Sequence, residues 1–140
     1  MWDDIFASAD MLQNGLQASW IRSGVIRHNI ANVETPGFKA SDVVFETLFS
    51  DALRRENTGF VGRRTRERHI EIGKQQRIDP RSVTAKVTKH EELSMRMDEN
   101  SVDIEVENVK MAQNSIWYNT MMSKLNSEIS RIRLAVTEGK

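Results

Sequence analysis

The 140-residue sequence contains no cysteine, which excludes disulfides and thiolate metal sites and leaves the redox compartment open. Aromatic residues are scarce at 6% and hydrophobic residues reach only 39%. This is below the usual globular share, so the walls of a compact enzyme cavity would be hard to build. Charge of one sign is also missing: 20 Lys and Arg balance 20 Asp and Glu, and no whole-molecule field draws the chain to nucleic acid or to an anionic membrane. No uninterrupted apolar run reaches the length of a membrane span or a signal-peptide core, and Met1-Trp2-Asp3-Asp4 opens with two acids rather than bases. Neither direct membrane insertion nor a cleavable leader is expected. His28, His69 and His90 are isolated, and neither a His-Glu-x-x-His motif nor a Gly-rich phosphate loop occurs, so no catalytic residue, metal or cofactor is implied.

What is present is periodicity. Apolar or small residues recur at alternating steps of four and three at Ile5, Ala9, Leu12, Leu16, Ser19, Ser23, Ile26, Ile30 and Val33, a heptad seam. Pro36 disfavours helical geometry at Thr35, and Gly37 supplies the positive φ that a type II turn needs after proline. A helix of about 30 residues, roughly 45 Å long, is predicted. The C-terminal third repeats the pattern at Ile104, Asn108, Met111, Ser115, Tyr118, Met122, Leu125, Ile129, Ile132 and Val136. Asn100 and Ser101 are candidate N-caps of this second helix, Asp103, Glu105 and Glu107 favour the positive end of its dipole, and Arg131, Arg133 and Gly139 mark its end.

Between the helices the period is lost. Ser41 to Arg55 reads as a short amphipathic helix capped by Ser41, with Val44, Phe45, Leu48, Phe49 and Ala52 on one side. From Glu56 to Asn100 only His69-Ile70-Glu71-Ile72 and Val83-Thr84-Ala85-Lys86-Val87 alternate, which suggests a small β-element, a β-hairpin, in an otherwise loose segment ordered by a partner or not at all. The expected fold is therefore mainly α: two long antiparallel terminal helices in a coiled-coil hairpin around that middle segment. The chain divides into an N-terminal helix and turn (1–40), the middle segment (41–100) and a C-terminal helix (101–140).

These helices carry more apolar residues than one seam uses. Phe6, Trp20, Ile21 and Val25 lie off the first seam, and Val109, Ala112, Ile116, Trp117 and Met121 lie off the second. Exposed in water such stripes invite aggregation, whereas in a polymer they become contacts between neighbouring subunits. The competing explanation is that the middle segment folds back over them. An isolated subunit would accordingly be poorly ordered at its ends and gain helix on assembly.

The segment Arg27-His28-Asn29-Ile30-Ala31-Asn32-Val33-Glu34-Thr35-Pro36-Gly37-Phe38-Lys39-Ala40 resembles the signature of flagellar basal-body rod proteins. Their first helix ends in an Asn-x-Ala-Asn-x-x-Thr-Pro-Gly-aromatic-Lys pattern, matched here by Asn29, Ala31, Asn32, Thr35, Pro36, Gly37, Phe38 and Lys39. Asn29 and Asn32 are placed to bond free carbonyls at the helix end, and Pro36-Gly37 to reverse the chain. The intact Thr35-Pro36-Gly37 step, the following Ser41-Asp42-Val43-Val44-Phe45-Glu46 and the short chain are most similar to the proximal rod subunits of that family. Asn100-Ser101-Val102-Asp103-Ile104-Glu105, Lys110-Met111-Ala112-Gln113-Asn114 and Tyr118 are similar to its C-terminal block. Phe38 replaces the usual tyrosine, and Val106 stands near a position usually acidic.

That resemblance implies a non-enzymatic structural subunit, polymerising through its terminal helices with copies of itself in a helical rod. It implies export through the flagellar type III apparatus across the inner membrane, a periplasmic position when assembled, and contacts with other rod proteins, a rod adaptor and a membrane ring. Ile5 and Phe6, apolar near a polar start, form a candidate export signal, although they also simply begin the seam. A coiled-coil adaptor or secretion chaperone of a type III system is the alternative, sharing the heptads but closing into a small oligomer. A nucleic-acid module is the weaker rival. Arg54, Arg55, Arg63, Arg64, Arg66, Arg68, Lys74, Arg77 and Arg81 outnumber Glu56, Glu67, Glu71 and Asp79 by nine to four, but no aromatic-interleaved platform or recognition-helix pattern accompanies them.

Overall fold

The computed structural model describes residues 2–57, 66, 78–89 and 97–138, with the side chains of 2–5, 55–57 and 138 outside that description. It is mainly helical. A 30-residue helix, α1 (Trp2–Ala31), is followed by strand β1 (Ser41–Val44) and helix α2 (Glu46–Asn57). A single 3₁₀ turn (Pro80–Ser82), strand β2 (Lys86–Lys89) and the 35-residue helix α3 (Ile104–Glu138) complete the described elements.

α1 contains no proline and ends by tightening. Asn32 and Val33 donate their backbone N–H groups to the carbonyls of Asn29 and Ile30, three residues back, and the Asn32 side chain donates to the His28 carbonyl at 2.7 Å. Gly37 then adopts φ +71° and the Phe38 N–H donates to the Thr35 carbonyl at 3.3 Å, the hydrogen bond and dihedral of a type II turn on Pro36-Gly37.

α3 lies antiparallel along α1. Asn29 meets Glu107, Ser19 meets Asn114, and Gly15 faces Met121, so residue numbers rise along one helix as they fall along the other. Gly15 permits close approach: a Cβ there would lie 2.7 Å from the Met121 sulfur. The cap of α3 is Asp103, whose Oδ1 accepts from the backbone N–H groups of Glu105 and Val106 at 2.9 and 3.3 Å. This corrects the expectation of Asn100 or Ser101, whose side chains serve the turn instead.

The middle segment departs from expectation in two ways. Ser41 to Val44 is a strand, and α2 begins only at Glu46, because the Ser41 backbone is paired by the Asn29 side chain and β-branched Val43 and Val44 favour extended geometry. The second alternating run contributes β2, but its partner is the distant β1, antiparallel with Ser41 opposite Lys89 and Val44 opposite Lys86. The run at 69–72 lies outside the described residues. Far from loose, 78–89 closes a small core in which Ala18 of α1, Phe45, Ala52 and Val83 are buried with Phe49, Ile78 and Ala85 against them. Phe45 and Phe49 stack at 5.6 Å between ring centroids. Arg22 donates to Glu46 at 2.7 Å, and Asn14 donates to the Arg81 carbonyl at 2.6 Å, fastening this layer to α1.

Candidate functional site

The residues of the turn motif gather with the start of α3 into a buried polar lock. Asn100 is fully buried. Its side-chain amide shares two hydrogens among the carbonyls of Asn32, Val33 and Thr35, each at 2.9 Å, and its Oδ1 accepts from the Val102 N–H at 2.7 Å. One side chain thus bonds three carbonyls just beyond the end of α1, two of which, those of Asn32 and Thr35, also accept the backbone N–H groups of Thr35 and Phe38. Asn29, also fully buried, donates to the Ser41 carbonyl at 2.8 Å and accepts from the Ser41 N–H at 3.0 Å, so its amide imitates a neighbouring strand. Its Nδ2 also reaches Glu107 Oε2 at 3.1 Å. Glu107 is 3% exposed and its other oxygen accepts from Lys110 at 2.8 Å.

Backbone bonds tighten the same junction. Gly37 donates to the Asp98 carbonyl, Ser101 to the Phe38 carbonyl, and the Ala40 N–H to Ser101 Oγ at 2.8 Å. Lys39 reaches the Glu99 carbonyl at 3.0 Å, and Phe38 packs its ring 5.5 Å from that of His28. Glu99, at φ +58°, sits in the left-handed region that costs an L-residue energy, a conformation held by the bonds on either side. Of the motif residues, Ala31, Thr35, Pro36 and Gly37 are exposed at the rim.

Asn29 therefore does not cap α1 as expected from the sequence. Asn32 bonds the His28 carbonyl near the helix end, and Asn100 bonds three carbonyls just beyond it. Asn100 was readable only as a helix cap and Glu107 only as a dipole charge, because nothing local in the sequence signals that either is buried against residues some 70 positions away.

Of the residues expected on the seam of α1, Ile26 is buried and Ala9, Leu12, Leu16, Ile30 and Val33 are partly buried. The side chain of Ile5 lies outside the described part. On α3, Met111, Leu125 and Ile132 are partly buried, but Tyr118 and Met122 are each 38% exposed and Ile129 53%. Glu107, Asn114, Met121 and Glu128, also seven apart, turn inward instead. The reason is the opposing surface. α1 presents Gly15, Ser19, Ser23 and Asn29, and a polar side chain that finds partners there is buried at little cost: Glu107 accepts from Asn29 at 3.1 Å, and Asn114 donates to the Ser19 carbonyl at 2.9 Å. Met121, expected at a subunit contact, packs on Gly15 within the chain. Ile21 and Val25 are partly buried, whereas Phe6, Trp20, Val109, Ile116 and Trp117 are exposed.

No family model matches the chain. Among curated proteins it is 30% identical over 129 residues to the flagellar basal body rod protein FlgB of Bacillus subtilis, covering 92% of both chains. The chain belongs to the FlgB family of flagellar basal body rod proteins. It is 28% identical over 142 residues to FlgB of Proteus mirabilis, covering 99% of this chain and all of that one, and 30% identical over 115 residues to FlgB of Cereibacter sphaeroides, covering 82% of each. This rod protein is accordingly a structural subunit of the proximal rod of the flagellar basal body and not an enzyme. The kinship does not favour the adaptor or chaperone alternative. Among the described residues no helix is long and apolar enough to cross a membrane. Most of the basic run lies outside the described residues; Arg54 and Arg66 within it are exposed, and Arg81 is paired with Asp79 at 3.0 Å.

Proposed function

We propose that this rod protein polymerises with copies of itself through the outer faces of α1 and α3, the two helices forming a coiled-coil hairpin that stacks into a helical rod. The observation that carries the reading is the large apolar side chains left uncovered on both helices: Trp20 is 68% exposed, Ile116 67% and Trp117 61%. At roughly 1.5–3 kcal/mol for each such side chain fully buried, a handful would dominate association. The polar lock has a matching role. It fixes the crossing of the two helices at the turn, so that each copy presents the same surface to its neighbours.

Other rod proteins, the rod adaptor and the membrane ring are the further partners this reading assigns, with export by the type III apparatus and a periplasmic position after assembly. Phe6, 49% exposed, is accessible as part of an export signal with Ile5. Changing both to Ser and measuring secretion tests that role, and undiminished secretion removes it. The central test is assembly. Ile116→Asp or Trp20→Asp should leave the subunit soluble and secreted but abolish its recovery in isolated basal bodies and with it swimming. Wild-type recovery with both substitutions present would overturn the reading. Dilute wild-type subunit should show less helix by circular dichroism than the assembled form.

A further inference from the structure

Asn14-Gly15 is the single Asn-Gly step in the sequence, and it stands well inside α1. In an open chain this pair is chemically labile, because glycine lacks the Cβ that would shield its backbone nitrogen. That nitrogen attacks the Asn14 side-chain Cγ. A C–N bond forms, the amide nitrogen leaves as ammonia carrying the Gly15 N–H proton, and a succinimide ring remains. Water then opens the ring at either carbonyl and leaves aspartate or β-linked isoaspartate at position 14. One water is consumed, one ammonia is released and one negative charge is gained, with no oxidation or reduction.

The folded chain removes each requirement of this step. Inside α1 the Gly15 N–H is committed to the carbonyl four residues back, and helical ψ at Asn14 sets its Cβ out of the plane that the ring needs. The Asn14 amide is held by its bond to the Arg81 carbonyl at 2.6 Å. Gly15 is buried and lies close against Met121 of α3, so α1 cannot unwind at this point without displacing its partner helix. Both residues have their own tasks, glycine in the close approach of α3 and asparagine in fastening Arg81, and these tasks bring a labile pair together inside a helix.

We propose that Asn14 is a modification site, deamidated spontaneously in the unfolded chain and shielded once α1 and α3 pair. Conversion is a one-way exit from folding. Aspartate sets a carboxylate against the Arg81 carbonyl, acceptor against acceptor, and releases the 78–89 layer from α1. Isoaspartate adds a methylene to the backbone, so residues before it, Ala9 and Leu12 among them, lose their register on the seam. A chain held open too long forfeits its native helix pair, whereas one that has folded keeps its asparagine.

The full chain is incubated in mildly alkaline buffer with and without concentrated urea, and conversion at Asn14 is followed by peptide mass spectrometry. Conversion should run at least about ten-fold faster in urea than in native buffer. Asn100→Ala, which loosens the turn several helical turns away from Asn14, should raise the rate in native buffer about ten-fold and leave the rate in urea unchanged. Gly15→Ala adds the missing Cβ and should suppress conversion in urea. Converted chain returned to native buffer should recover less helix than unconverted chain. Equal rates in urea and native buffer would overturn the shielding, as would a native rate indifferent to Asn100→Ala, which would place the protection in α1 alone. Absence of conversion in urea would overturn the site itself, and converted chain that melts like the original would overturn the exit from folding.

Discussion

Asn100 and Thr35 are 65 positions apart in sequence, yet the Asn100 side-chain amide donates to the Thr35 carbonyl at 2.9 Å. The turn that ends the first helix is therefore completed by a residue delivered at the start of the last one. Formation of the turn and docking of α3 become a single event, and the lock is the place where substitutions should be felt most.

Asn100→Ala removes a donor shared by three carbonyls and the acceptor for the Val102 N–H, while the Asn32 and Thr35 carbonyls keep the backbone donors of Thr35 and Phe38. A loss of about 2 kcal/mol is expected, measured as a lower urea midpoint at unchanged slope. Asn100→Asp, which keeps the acceptor for Val102 but not the donors, should be nearly as damaging.

Asn29→Leu removes both bonds to the Ser41 backbone and one to Glu107. A loss of about 2 kcal/mol is expected. Because Asn29 and Glu107 share a bond, adding Glu107→Leu should cost less than its effect in the native background, a coupling of about 1 kcal/mol in a double-mutant cycle. Strict additivity would show that the 3.1 Å contact contributes nothing.

Gly15→Leu should destabilise the helix pair by roughly 1–3 kcal/mol through overpacking against Met121, and Met121→Ala should restore much of that loss. Gly15→Ala should be far milder. Its new Cβ meets a sulfur near the end of a flexible side chain, and alanine improves helix propensity by about 1 kcal/mol. Thermal melts of Gly15→Leu, of Gly15→Leu with Met121→Ala, and of Gly15→Ala check the order.

Asp79 caps the 3₁₀ turn, and the Arg81 guanidinium that bonds it, together with the Arg81 backbone N–H, holds its carboxyl below the ordinary carboxylate value. A pKa depressed on folding contributes stability above the unfolded value and loses it as pH falls through the folded one. The native turn should therefore loosen on acidification below the usual Asp range, followed by loss of amide protection at Arg81 and Ser82. Asp79→Asn should flatten that dependence. The carboxylate is solvent-exposed, so the effect on global stability should be small.

Much of the fold was legible along the chain. The heptad period marks both helices because a stripe repeating near 3.5 residues has no other regular home, and Pro36-Gly37 punctuates the first because proline and a positive φ suit a turn and not a helix. The motif at Asn29 to Lys39 pointed to the rod proteins for the same reason. Its residue types are too particular for a mere helix stop. Glu107 and Asn100 were not legible as members of a site, since a charged or amide side chain reads as solvated until its partners are known.

By itself, then, the sequence determined where the long helices run, where the first one turns, and that the chain belongs among flagellar rod proteins, since these follow from period, backbone stereochemistry and local motif. Tertiary structure alone decided which stripe of α3 turns inward, that Ser41 to Val44 is a strand paired with Lys86 to Lys89, and that two buried asparagines tie the end of α1 and its turn to β1 and the start of α3. Periodicity identifies several apolar stripes but cannot rank them. The choice among them rests on which side chains find hydrogen-bond partners across the seam, and those partners lie far away in sequence.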